Sequence, residues 1–71
     1  MRIEQFEYLT EISKNKSMNA ASKKLHITPQ ALSTSIKKLE EELNLTILDR
    51  TTMGVSLTEK GQALLLLVEN F

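Results

Sequence analysis

The most specific chemistry in this 71-residue sequence lies in a short polar set at helical spacing: Gln30, Thr34 and Lys37, flanked by Ser33 and Lys38. At roughly 100° per residue these side chains share the side of a helix opposite Leu32, Ile36, Leu39 and Leu43. An amide, hydroxyls and ammonium groups with no bulky apolar neighbour are the groups that hydrogen-bond base edges and phosphates. The charge distribution points the same way. Nine basic and nine acidic residues give a net charge of zero, which read globally argues against a polyanionic partner. Between Lys14 and Lys38, however, stand six lysines and no carboxylate. A cationic middle inside a neutral chain is an electrostatic footprint that the bulk charge hides. Lysines alone would equally suit a solvated face; their overlap with the polar helix is what gives them meaning.

Other candidate chemistry fails on geometry. Glu40, Glu41 and Glu42 are consecutive, so on a helix they point about 100° apart and do not converge on a substrate. They read as a solvated helix end, partly paired with Lys37 and Lys38. Ser33 and Ser35 have no base in a local motif, so nucleophilic catalysis is unsupported. His26 is the single histidine and there is no cysteine, so no metal site is expected. There is no glycine-rich phosphate loop. The sequence predicts no enzyme and no cofactor.

The elements that must position the polar set follow from periodicity and capping. Ile3, Phe6, Leu9 and Ile12 predict a first amphipathic helix that ends near Lys14–Lys16. Ser17 reads as an N-cap, followed by Met18, Ala21, Ser22 and Leu25 on one face. Small residues at 20–22 allow another helix to cross closely. Thr28 and Pro29 then open a third helix, whose apolar stripe runs to Leu43 before Asn44 stops it. His26, Ile27 and Thr28 separate the two helices, which is the spacing of a helix-turn-helix. The uncapped amides near Ser17 and Thr28 add sites for phosphate oxygens.

Beyond Asn44 the period changes from helical to alternating. Leu48–Arg50 and Val55–Leu57 predict two short strands joined by a turn over Thr51–Gly54, a β wing. Thr58 caps a last helix in which Leu64, Leu67, Val68 and Phe71 form one stripe, while Leu65 and Leu66 add a second apolar side. Such a helix must bury one side on its own domain and the other elsewhere. The pattern breaks off at Phe71, as in a piece of a longer chain.

Composition narrows the class further. Hydrophobic residues are 41% and charged residues 25% of the chain, ordinary for a folded domain. Two glycines and one proline argue against a many-stranded β fold. No segment reads as a secretory signal, and the longest apolar run, Ala63–Val68, is far short of the roughly 20 residues that span a bilayer. A core this small usually needs a staple or a partner chain, and with no cysteine a second subunit is the natural one.

Two stretches carry a family resemblance: Ser17-Met18-Asn19-Ala20-Ala21-Ser22-Lys23-Lys24-Leu25-His26-Ile27-Thr28-Pro29-Gln30-Ala31-Leu32-Ser33 with Ile36–Leu43, and Leu48-Asp49-Arg50 through Val55–Gly61. Together they resemble the N-terminal domain of LysR-type transcriptional regulators, in register over nearly the whole chain. The resemblance implies a mainly α fold, a winged helix-turn-helix with a three-helix core, a two-stranded β wing and a C-terminal linker helix. It implies residues 1–57 as the DNA-binding domain and 58–71 as the start of the linker. It implies a homodimer on inverted repeats in double-stranded promoter DNA, in the bacterial cytoplasm at the nucleoid. A small-molecule effector would act only through a further domain.

By position, the resemblance assigns DNA contacts to Thr28, Gln30, Ser33, Thr34, Lys37 and Arg50; the helix starts and the lysine window add Ser17, Pro29, Lys24 and Lys38 as expected contacts. It assigns the dimer seam to Leu64, Leu65, Leu67, Val68 and Phe71. The chain departs from the family pattern in four places. Pro29-Gln30 replaces a common Gln-Pro, Thr34 stands where arginine is frequent, Leu48 replaces a frequent Phe, and Met53, Gly54 and Ser56 carry no charge where the wing is often arginine-rich. Two other classes compete: a winged-helix module that docks another protein, and a nonspecific architectural DNA binder.

Overall fold

A computed structural model describes residues 2–51 and 54–70. Helix α1 (Ile3–Asn15), α2 (Met18–Leu25) and α3 (Pro29–Leu43) are followed by strands β1 (Leu48–Thr51) and β2 (Gly54–Leu57) and by helix α4 (Glu59–Glu69). Three of the four helices open on a hydroxyl cap. Ser17, Thr28 and Thr58 accept from the amides of Ala20, Ala31 and Gly61, as the sequence predicted. The first three close on left-handed residues, Lys16, His26 and Asn44, with φ of 56°, 59° and 54°. At His26 and Asn44 the following amides, of Ile27 and Leu45, turn back to the carbonyls of Ser22 and Glu40. That pattern satisfies the orphan carbonyls of the last turn. His26 thus serves the motif turn with its backbone, while its side chain is exposed.

The core gathers Leu9 and Ile12 of α1, Ala21 of α2, Leu32, Ile36 and Leu39 of α3, Ile47, Leu48 of β1, Val55 and Leu57 of β2, and Leu65 of α4. Ser22 is buried beside Ala21, its hydroxyl donating to the carbonyl of Asn19, so α2 stays small where the helices meet. The expected α1 stripe is displaced at its start. Ile3 is 79% exposed and Gln5 takes the inward place at 6%. Gln5 can be buried because its amide is fully employed: Oε1 accepts from the Arg2 amide at 2.9 Å, and Nε2 donates to the Ser35 carbonyl at 3.0 Å. A buried glutamine thereby ties the beginning of α1 to the middle of α3.

The strands form an antiparallel hairpin with Leu48 opposite Leu57, Asp49 opposite Ser56, Arg50 opposite Val55 and Thr51 opposite Gly54. Pairing of Thr51 with Gly54 makes the hairpin tighter than the four-residue turn expected there; Thr52 and Met53 lie outside the described residues. Gly54 is required by two conditions, a φ of 136° and a position where a Cβ would stand 2.7 Å from the Lys16 carbonyl oxygen. The neighbouring Val55 amide donates to that same oxygen, which fastens β2 to the end of α1. Gly61 permits a second close approach, because a Cβ there would lie 2.5 Å from the Ile47 oxygen. Among the described residues no helix is long and apolar enough to cross a membrane.

Candidate nucleic-acid interface

Helix α3 divides cleanly into two faces. Leu32, Ile36 and Leu39 are buried, while Gln30, Thr34, Lys37 and Lys38 are exposed, with Ser33 and Pro29 half-buried at the margins. The polar set proposed from spacing is therefore brought together on one open surface. The helix start offers less bare backbone than expected. Pro29 has no N–H and Thr28 Oγ1 occupies the Ala31 amide at 3.0 Å, so the Gln30 amide is the leading one left for an anion. Ser17 is likewise spent on its own helix, accepting from Ala20 at 3.3 Å.

Not every lysine of the cationic window joins this surface. Lys24 lines a groove of about 380 Å³ with Glu7, Thr10, Glu11 and Leu25, on the α1 side of α2. The carboxylates absent from its sequence neighbourhood are thus supplied in space by α1. Arg2 shows the converse. Together with Glu4, Gln5 and Tyr8 it lines a groove of about 460 Å³ shared with Gln30, Thr34, Ser35 and Lys38. Its Nε lies 3.4 Å from Glu4 Oε1, with both side chains largely in solvent, so that ion pair holds it weakly. Sequence reasoning missed Arg2 because it stands outside the lysine window; only the fold carries the start of α1 to α3.

Two side chains of α3 reach the wing. Glu40 accepts from the amides of Ile47 and Leu48 at 2.7 and 3.1 Å. This corrects the reading of Glu40 as part of a solvated, lysine-paired helix end. Among the described residues no third strand pairs with the β1 edge away from β2, and an amide left without water needs an acceptor. Ser33 Oγ accepts from Arg50 Nη2 at 2.6 Å, joining two residues that had been read as separate contacts.

Helix α4 sorts its leucines differently from the predicted seam. Leu65 is 8% exposed and belongs to the domain core, directly above Gly61 by one helical turn. Leu64 and Val68 are half-buried, whereas Leu66 and Leu67 are 59% and 65% exposed. The free apolar surface is therefore centred on Leu66 and Leu67, and Leu65 is committed inward. Phe71 lies outside the described residues.

Residues 3–62 match the family described as bacterial regulatory helix-turn-helix protein, lysR family. The chain belongs to the LysR family. Its relatives include YcgK of Bacillus subtilis (strain 168), an uncharacterized HTH-type transcriptional regulator. The two are 44% identical over 62 residues, covering 87% of this chain and 19% of YcgK. This LysR-family chain thus spans about a fifth of the length of that curated relative. Its fold superposes on a CbnR DBD–DNA complex with a TM-score of 0.91 at 28% identity, covering 99% of this chain and 80% of that one. It also superposes on a BenM DBD/benA site 1 DNA complex with a TM-score of 0.87 at 30% identity, covering 99% and 83%. The winged helix-turn-helix expected from the sequence is the fold observed, and this LysR domain is a DNA-binding domain.

Proposed function

We propose that this domain reads inverted-repeat promoter DNA as a homodimer, with the N-terminal half of α3 in the major groove and α4 joining the subunits. The observation that carries the reading is the open Gln30–Thr34–Lys37 face of α3, backed by the buried Leu32, Ile36 and Leu39. Residues near the start of the second motif helix are the ones that meet base edges in helix-turn-helix proteins. Gln30 and Thr34 supply direct readout; Lys37, Lys38, Arg50 and the Thr28–Gln30 helix start supply phosphate contacts. Lys24 is left with a lesser, peripheral role by its place beside Glu7 and Glu11.

Pairing through α4 covers Leu67, Val68 and Leu64, and Leu66 joins them. Residues 1–57 serve as the DNA-binding unit and 58–71 begin the linker. The protein acts in the bacterial cytoplasm, catalyses no reaction, and senses a small-molecule effector through a region beyond this domain. Solved CbnR and BenM DBD complexes with DNA support the groove-facing part of this reading.

Selection from a random duplex library, with bound fragments sequenced at two salt concentrations, tests it. Enrichment of an inverted repeat is expected. Affinity should fall about 10³-fold or more between about 50 and 200 mM salt if roughly six phosphates are contacted. Equal recovery of unrelated duplexes would instead describe an architectural binder, and no binding at low salt a docking module.

A further inference from the structure

Ser33 and Glu40 stand seven residues apart on α3, two helical turns, and so share the edge turned toward β1. Both use that edge in the same way. Glu40 takes the Ile47 and Leu48 amides, and Ser33 takes the Arg50 guanidinium at 2.6 Å. The order is reversed along the two segments, as for a strand passing antiparallel to a helix. Roughly 10 Å of helix separates Ser33 from Glu40, and roughly 7–10 Å of strand separates residues 47–48 from 50.

Arg50 is the third residue of β1, on the same pleat face as the buried Leu48 but past the core, where it is exposed. The charge-assisted bond to Ser33 places its guanidinium beside the first half of α3. Ser33 itself is half-buried, between the apolar stripe and the exposed Gln30 and Thr34. The bond to Arg50 takes one lone pair of the hydroxyl and draws the oxygen toward the wing, to one side of the exposed Gln30 and Thr34.

We propose that Ser33 is a positioning residue for Arg50: its hydroxyl holds the guanidinium at the junction of α3 and the wing, ready for a DNA phosphate, and reads no base. The inference rests on the reading that the polar face of α3 meets DNA. An exposed arginine loses rotamer freedom when it grips a phosphate, and ordering it beforehand removes part of that cost.

A double-mutant cycle on the selected duplex and an unrelated one tests the proposal. Arg50→Gln should weaken binding to both and reduce the salt slope by about one phosphate contact. Ser33→Ala should weaken both by the same factor, about 3- to 10-fold, with an unchanged selected sequence. The double variant should bind within about twofold of Arg50→Gln alone, and Ser33→Thr, which keeps the hydroxyl, should restore wild-type affinity. Thermal melts of each variant register any loss of folding. Altered preference at one base pair in Ser33→Ala, effects additive with Arg50→Gln, or unchanged or tighter binding would each overturn the proposal. Failure of the groove reading itself shows separately, as binding that survives Lys37→Glu.

Discussion

Helices α3 and α4 solve opposite problems with similar material. In α3 the apolar residues form one stripe that the domain buries from Leu32 to Leu39 and half covers at Leu43, so the side opposite is polar and open. In α4 leucines occupy four successive positions, and a domain on one side can cover only part of them. Leu65 goes inward and Leu66 and Leu67 remain in solvent. A helix satisfied by its own domain presents a polar surface; a helix apolar on two sides calls for another protein surface. On the proposed reading, two kinds of recognition fall to these two helices.

That comparison can be broken most strongly from the inside. Leu32→Ala removes a wholly buried side chain behind the polar face and should cost about 2–5 kcal/mol, measured by thermal or urea unfolding. Gly61→Ala attacks the inner side of α4, where the new Cβ meets the Ile47 carbonyl. A loss of about 1–3 kcal/mol is expected in the same assay, because the close neighbour is backbone and yields little. Outward substitutions should leave the fold alone. Leu67→Glu is expected to weaken self-association at least about tenfold by sedimentation, while helix content and monomer stability stay unchanged.

The caps sharpen the contrast with smaller effects. The Thr58 hydroxyl accepts from Gly61 and also donates to the Thr46 carbonyl, whereas the hydroxyl of the exposed Thr28 makes only its cap bond to Ala31 among the hydrogen bonds described. Thr58→Ala should therefore cost about 1–2 kcal/mol and Thr28→Ala about 0.5–1 kcal/mol in paired unfolding experiments.

The same contrast explains what could be read without coordinates. Caps at Ser17, Thr28 and Thr58, the α3 stripe and the stop at Asn44 depend on residues within a few positions of each other, so local patterns reveal them. Contacts made between elements left no such trace. Ile3 fits the helical period of α1, yet Gln5 is buried because Ser35, thirty residues away, accepts its amide. Glu40 looked like one of three solvated carboxylates until β1 brought it two amides. In α4 a run of leucines has no sharp period, and only packing against α1 and β2 distinguishes Leu65 from Leu66. The polar face of α3 was legible because its own apolar stripe defines it. Arg2 and the Arg50–Ser33 bond required the fold.

The most direct test of this division is the DNA affinity of Lys37→Glu on a duplex selected by the wild-type chain. Lys37 is exposed on the polar face, opposite the buried Leu32, Ile36 and Leu39. Reversal of its charge in both subunits should lower affinity by at least about 100-fold, with self-association and stability unchanged. Affinity within about twofold of wild type would contradict the assignment of the α3 face to DNA.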